Sequence, residues 1–255
     1  MACVNKVFNI YKYPGETPLA CLERLKVSDP ALRDVVMTYA GRLDPMAEGV
    51  LLVLAGDMVH AKERYLRLNK VYECEVLFGV GTDTHDCLGL ITEHRAPHVT
   101  VSAVRNEIKK FIGTIAQEYP AFSSKTLRGT PLFALSRSGR LDTGTLPKHS
   151  VQVMSIKVHD LKKVRVSNLR KKIAERILRV KGDFRQNAIL RSWKHSRLPS
   201  ELRLVKCRIR CGSGFYVRTF ARDLGKSLGC PALAFSIRRL SVGRFISTRS
   251  LRRLA

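Results

Sequence analysis

The chain has 255 residues and carries 46 Lys and Arg against 21 Asp and Glu, a formal net charge of +25. That excess is far beyond what solubility needs and points to a polyanionic partner, nucleic acid first; a membrane surface fits less well, since no strongly amphipathic terminal helix stands out. Apolar residues make up 45%, ample for the core of one large domain or two small ones, and no apolar stretch reaches the ~18 residues that span a bilayer.

In chain order, Val7–Tyr11 reads as an opening strand, followed by a turn at Tyr13-Pro14-Gly15 and a helix over Pro18–Leu25. The strand starts too early for a secretory leader, so a cytoplasmic location is expected. Leu51–Leu54 reads as a buried strand, leading into a helical stretch over His60–Leu68 with Lys62, Arg64 and Arg67. Val71–Val80 is strand-like with Tyr72, Cys74, Val76 and Phe78 on one face, and Leu90–Glu93 is its expected partner across the Thr82–Gly89 loop. Val104, Ile108, Phe111 and Ile112 place a helix over Val101–Ile112. Tyr119–His149 is long, irregular and punctuated by Ser, Gly and Pro, as functional loops are. Strands are expected at Val151–Val158, Val205–Cys211 and Leu233–Val242, and a helix at Tyr216–Leu228. Strands and helices mix without strict alternation, which predicts an α+β fold around a mostly antiparallel sheet.

The seven cysteines, Cys3, Cys21, Cys74, Cys87, Cys207, Cys211 and Cys230, are odd in number and contain no Cys-x-x-Cys pair. Free thiols are expected. Cys207 and Cys211 would face the same side of one strand, but no further ligands are spaced to complete a zinc site, and no metal is expected.

The most informative stretch is Gly41-Arg42-Leu43-Asp44-Pro45-Met46-Ala47-Glu48-Gly49, running into Val50-Leu51-Leu52-Val53-Leu54. Proline disfavours a helical conformation for the residue before it, so Asp44 is held extended. Gly41 and Gly49 bracket the turn with permissive backbone. A lone acid on a rigid loop beside a core strand suits a nucleophile; by composition alone it would read as a surface turn residue.

Its companions are Val7-Phe8-Asn9-Ile10-Tyr11-Lys12, Lys70-Val71-Tyr72-Glu73-Cys74-Glu75-Val76, Gly81-Thr82-Asp83-Thr84-His85-Asp86, Cys211-Gly212-Ser213-Gly214-Phe215-Tyr216-Val217-Arg218-Thr219 and Ser236-Ile237-Arg238-Arg239-Leu240. Together, in this order, these words resemble the TruB family, which isomerises uridine to pseudouridine at position 55 in the T arm of tRNA. The resemblance implies a pseudouridine synthase fold, a central mixed sheet with flanking helices and a cleft across its middle. The reaction breaks the N1–C1′ bond, turns the base and rejoins it through C5, with no redox change, so no cofactor is expected. It needs a carboxylate nucleophile and a slot for an extruded base. By resemblance, Asp44 is that carboxylate, either attacking C1′ or abstracting a ribose proton. Arg218 pairs with it and keeps it ionised. Tyr72 stacks on the base, Tyr216 lines the pocket and Ile237 forms its floor. Lys12, Lys125 and Arg239 become RNA-facing or cleft-wall residues. Asp83 and His85 are read as loop-structuring groups. Tyr119–Gly139, with Lys125, Arg128 and Arg137, resembles an RNA-clamping thumb loop, extending to His149. Phosphate contacts there would position the RNA, while shape and splayed bases supply specificity.

The chain departs from the family pattern in four places. Tyr39-Ala40 stands where many members have His-Thr or His-Ser, so Tyr39 takes the histidine's place in RNA contact or base flipping. Arg42 replaces a frequent small residue; Arg-Leu-Asp resembles the RluA-type rRNA synthases, and Arg42 is expected to touch RNA or Asp44. Lys12-Tyr13-Pro14-Gly15 shifts a proline by one place. Finally, a C-terminal PUA domain is expected to be absent and residues 162–200 read as a basic insertion. Lys162–Arg197 holds 13 Lys or Arg against Glu175 and Asp183, around an apolar stripe of Leu169, Ile173 and Ile177. An RNA-binding arm is expected there, with Arg244, Arg249, Arg252 and Arg253 extending the basic character. The sequence thus predicts a single catalytic domain over residues 1–255, a monomer acting on RNA, tRNA first. The rivals are the same chemistry on rRNA or mRNA, and a non-catalytic tRNA-folding chaperone.

Overall fold

The computed structural model describes residues 4–142, 144 and 146–252; Cys3 and Arg253 lie outside the described residues. The chain opens with β1 (Lys6–Lys12), α1 (Pro18–Ser28), β2 (Met37–Ala40), β3 (Glu48–Ala55), α2 (Lys62–Leu66), β4 (Lys70–Phe78), β5 (Val80–Thr82), β6 (Ile91–His94) and α3 (Val101–Glu107). It continues with β7 (Gly113–Glu118), β8 (Thr126–Leu127), β9 (Thr130–Pro131), α4 (Leu132–Arg137), β10 (Lys148–Arg165), α5 (Val166–Arg179) and α6 (Gln186–His195). β11 (Glu201–Cys211), α7 (Val217–Ser227), β12 (Ala232–Val242) and β13 (Phe245–Ile246) complete it.

Among the described residues, nine strands form one sheet in the order β1-β3-β12-β4-β11-β10-β7, with β2 added to β3 and β13 to β12. Its strand pairs are antiparallel except β12 and β3, which run parallel through Arg238–Glu48 and Arg239–Gly49. The predicted mixed, mostly antiparallel α+β architecture is therefore present.

The continuous apolar run of β3 follows from burial on both faces. Val53 and Ala55 pack with Phe8, Ile10, Leu22, Leu25 and Leu32 on one side; Val50, Leu52 and Leu54 pack with Ala40 and Val242 on the other. Each fully buried aliphatic side chain contributes roughly 1.5–3 kcal/mol, so this strand is a firm base for the loop that precedes it. In β4 the period is two, as predicted: Tyr72, Cys74, Val76 and Phe78 share a core with Phe220 and Leu224 of α7. Leu77 points the opposite way, into a second core with Leu233, Ile173, Ile177 and Trp193.

Several predicted boundaries change. His60–Leu68 is divided between a 3-10 segment, Gly56–Ala61, and the short α2. The helix begun at Val101 tightens into a 3-10 turn over Ile108–Phe111. The irregular Tyr119–His149 stretch contains the β8–β9 hairpin and α4. β10 extends through 18 residues, past two register shifts against β11, and leads directly into α5. Within the 162–200 basic segment, α5 docks against the sheet as a layer. The predicted stripe of Leu169, Ile173 and Ile177 is buried with Leu77, Leu202 and Leu233, because an apolar face of that width is unstable in water. Arg176 reinforces the docking, its guanidinium 4.2 Å from the Phe235 ring centroid and donating to the Phe235 carbonyl at 2.6 Å.

Candidate active site

The loop between β2 and β3 carries Asp44. Gly41 and Gly49 have φ of +82° and +110°, a region that favours glycine. Gly49 also lies against β12 so closely that a Cβ there would sit 2.2 Å from the Arg239 carbonyl oxygen. The loop turns through Ala47 N donating to Asp44 O at 3.0 Å.

Two buried cations shape this loop. Lys12 Nζ donates to Ala47 O at 2.6 Å, Tyr13 O at 3.1 Å and Pro45 O at 3.3 Å. Arg239 donates from Nε to Val50 O at 2.7 Å, from Nη2 to Gly41 O at 3.0 Å and from Nη1 to Arg42 O at 3.2 Å. Lys12 is 0% and Arg239 1% exposed. Both satisfy loop carbonyls that would otherwise be buried unpaired. Arg239 still borders the cleft, whereas Lys12 lies behind the loop. Burial pushes the Lys12 ammonium down to about 8, against the opposing pull of Cys21 and Asp44.

Arg218, in the first turn of α7, reaches back across the cleft. Its Nε donates to Asp44 Oδ2 at 2.8 Å and its Nη2 to Asp44 Oδ1 at 3.0 Å. Nη1 donates to Thr84 O at 3.0 Å and Nη2 also to Phe122 O at 3.2 Å. The Arg218 side chain is 4% exposed and that of Asp44 35%, so a buried guanidinium presents a carboxylate to the cleft. Burial works against the charge of Arg218, but Asp44 and Asp86 outweigh it and hold its pKa above the ordinary value.

Asp86, which sequence reasoning did not single out, is the second carboxylate here. Its Oδ2 lies 3.9 Å from Arg218 Nε, and its Oδ1 accepts from Leu88 N at 2.8 Å and Thr84 Oγ1 at 2.7 Å. Burial pushes its carboxyl up to about 6, opposed by Arg218 and reinforced by Asp44. The Thr-Asp-Thr-His-Asp word holds two acids three positions apart, and spacing alone does not say which one turns inward. Asp83 structures the loop as expected, its Oδ1 accepting from Leu90 N at 2.8 Å. His85 takes a left-handed conformation, φ 60°, with Nδ1 3.2 Å from Thr82 O.

Asp44, Tyr72, Arg218, Tyr216, Ile237, Arg42, Tyr39 and Arg239 line one cleft of about 1010 Å³. Tyr72 and Ile237 are nearly buried on neighbouring strands, in register with Arg239 and Cys74 respectively. Burial raises the Tyr72 phenol, with Arg239 opposing it. Tyr216 is held through its backbone by Gln117: Tyr216 N donates to Oε1 at 2.8 Å, and Nε2 donates to Tyr216 O at 3.0 Å. Burial, then Asp44, pushes the Tyr216 phenol up to about 12. The Arg42 guanidinium lies 5.8 Å from the Tyr39 ring centroid. Lys125 immediately precedes β8, its ammonium 5.2 Å from the Tyr119 ring centroid.

Among the described residues, no group of three or more His, Cys, Asp and Glu side chains is arranged to hold a metal ion. Cys21, Cys74, Cys87, Cys207, Cys211 and Cys230 are free thiols. Among the described residues no helix is long and apolar enough to cross a membrane.

Residues 32–177 match the model of the TruB family pseudouridylate synthase N-terminal domain. The tRNA pseudouridine synthase B of Syntrophus aciditrophicus is 32% identical over 234 residues, covering 92% of this chain and 61% of that protein. Its counterpart from Dehalococcoides mccartyi is 28% identical over 249 residues, covering 97% of this chain and 68% of that protein. The chain thus spans about three fifths to two thirds of the length of these relatives. In three dimensions it resembles a chain of a Cbf5-Nop10-Gar1 complex, with a TM-score of 0.56 and 18% identity over 94% of this chain and 49% of that one. A second similar structure is an H/ACA RNP bound to a substrate RNA containing 2′-deoxyuridine, with a TM-score of 0.54, 18% identity and coverage of 94% of this chain and 48% of that one. These likenesses support the fold, and the family match extends over more than half of the sequence: the chain belongs to the TruB family of pseudouridylate synthases.

Proposed function

We propose that the protein isomerises a flipped-out uridine in RNA to pseudouridine, with position 55 in the T arm of tRNA as its target and the cytoplasm as its setting. The observation that carries this reading is the bidentate Arg218–Asp44 pair at the edge of the cleft. A guanidinium on both carboxylate oxygens favours the ionised acid and fixes its direction. The relatives' name, tRNA pseudouridine synthase B, supports the choice of RNA.

In this reading an Asp44 oxygen attacks C1′ and the N1–C1′ bonding pair leaves with the uracil. The base turns between Tyr72 and Ile237, C5 attacks C1′ and expels the carboxylate. Loss of the C5 proton to solvent and protonation at N1 complete the isomerisation, with every heavy atom of the uridine retained and its composition unchanged. The developing negative charge on the freed base is met by a cleft walled with Arg239, Arg42 and Arg218. The 119–149 thumb and the outward basic side chains of residues 162–200 clamp RNA phosphates, and one copy of the chain suffices for the site.

The test is tritium release from an unmodified tRNA transcript labelled at uridine C5, comparing wild type with Asp44→Asn. Release by wild type alone supports the reading, and single-site labelling then locates the target. Release by both proteins overturns the role of Asp44. RNA binding without release from tRNA, rRNA or mRNA leaves a folding chaperone as the better account.

A further inference from the structure

The turn between α5 and α6 reaches the cleft, and one side chain in it touches both segments that hold Arg218. Arg185 Nη1 donates to Asp83 Oδ2 at 2.8 Å, and both side chains are less than a third exposed. The same guanidinium lies 4.5 Å from the Phe122 ring centroid. Asp83 belongs to the loop that supplies the Thr84 carbonyl and the Asp86 carboxylate to Arg218. Phe122 supplies its own carbonyl to Arg218. Arg185 therefore joins, from outside, the two segments that Arg218 joins from inside.

The turn is built to keep that side chain in place. Arg185 has φ 62°, an uncommon conformation for a residue with a Cβ that persists where the surroundings determine it. Gln186 spans the turn, donating to Val180 O at 3.0 Å and Gly182 O at 2.6 Å while accepting from Phe184 N at 2.8 Å. A second tie to the thumb comes from Arg137, which donates to the Asp183 carbonyl and lies 5.8 Å from the Phe184 ring centroid. The buried stripe of α5 anchors the whole turn to the sheet.

We propose that Arg185 is a positioning residue: by pairing with Asp83 and stacking on Phe122 it fixes the two loops that aim Arg218 at Asp44. The proposal rests on the catalytic reading of that pair. It also gives the docked α5–α6 layer a task beyond charge.

The experiment compares wild type, Arg185→Gln, Arg185→Lys, Asp83→Asn and the Arg185→Gln/Asp83→Asn double variant, each first checked for an unchanged circular dichroism spectrum. Two readouts are taken. Amide hydrogen exchange is measured without RNA over residues 82–90 and 119–125, and single-turnover tritium release is measured at saturating tRNA transcript alongside the RNA Kd. Arg185→Gln is expected to speed exchange in both segments. It should slow single turnover about tenfold, since small misplacements of reacting groups are costly, with Kd changed less than about threefold. Arg185→Lys keeps the charge but loses the planar stack, and should recover part of the rate. The double variant should be no slower than the slower single one, because both remove the same link. Faster exchange confined to residues 180–186, or a weakened Kd with an unchanged single-turnover rate, would overturn the proposal; the latter result would make Arg185 a phosphate contact. If wild type releases no tritium from any RNA, the catalytic reading fails, while the exchange readout still decides whether Arg185 couples the two loops.

Discussion

Arg218 meets Asp44 edge to edge, Nε to Oδ2 at 2.8 Å and Nη2 to Oδ1 at 3.0 Å, with the cation buried and the carboxylate partly open to the cleft. A lysine carries the same charge but has no rigid fork to fill both oxygens and the Thr84 and Phe122 carbonyls at once. Arg218→Lys should therefore reduce single-turnover isomerisation by about 10²-fold or more, comparable to losing one preorganised electrostatic contact in other enzymes. RNA affinity should stay near the wild-type value. An unchanged rate would show that the pairing is architectural.

Gly49 and Arg239 meet where β3 and β12 run parallel, and the contact leaves no room for a side chain. Gly49→Ala adds a Cβ against backbone in a left-handed conformation. A loss of about 3 kcal/mol is expected from strain and overpacking together, read as a lower urea midpoint with an unchanged m-value. A midpoint equal to wild type would mean that the two strands separate freely, contrary to the packing around them.

Arg239→Met tests the loop clamp from the other side. It leaves the Gly41, Arg42 and Val50 carbonyls without their side-chain donor, and buried unsatisfied acceptors cost on the order of 1 kcal/mol or more each. Stability and turnover should fall together. A variant with wild-type stability that only binds RNA more weakly would make Arg239 an RNA-facing residue instead of a loop clamp.

His85 supplies a pH dependence. Burial, with Arg222 and Arg218 nearby, pushes its imidazole down to about 3 from an ordinary 6.5. Between those values the unfolded chain binds a proton that the folded chain refuses, so stability falls as pH drops through this window. The contribution is complete above pH 6.5 and is lost on approaching pH 3. Asp86, pushed up to about 6, acts in the opposite sense, being most favourable below its unfolded pKa, so the comparison must be with a variant that changes His85 alone. Asn tolerates the left-handed backbone and does not titrate. His85→Asn should therefore lose less stability than wild type between pH 7 and 4, measured by thermal midpoints. Parallel curves would remove His85 from the acid response.

Lys171 and Lys172 are exposed on α5. If they meet phosphates, Lys171→Glu/Lys172→Glu should weaken RNA binding and reduce the slope of log K against log salt by about two, leaving turnover at saturating RNA unchanged. An unaltered slope would remove these two lysines from the proposed RNA contact.

Local chemistry made much of this protein readable from its residues. The Asp44 turn is marked by Pro45 and flanking glycines, β4 by its alternation and α5 by its apolar stripe, because each depends on neighbours a few positions away. The net charge likewise needs no fold to point toward nucleic acid. The fates of individual charges did depend on the fold. Lys12 and Arg239 read in sequence as RNA-facing or cleft-wall residues, and only the tertiary structure shows them surrounded by loop carbonyls. Asp83 and Asp86 are equivalent by spacing until Arg218, 134 positions from the Thr84 carbonyl it also holds, selects Asp86 as its second carboxylate. Arg185 gains its contacts only when the α5–α6 layer docks. A charged side chain has the same identity in water or among buried acceptors, and which environment it meets is decided by contacts between residues far apart in the chain.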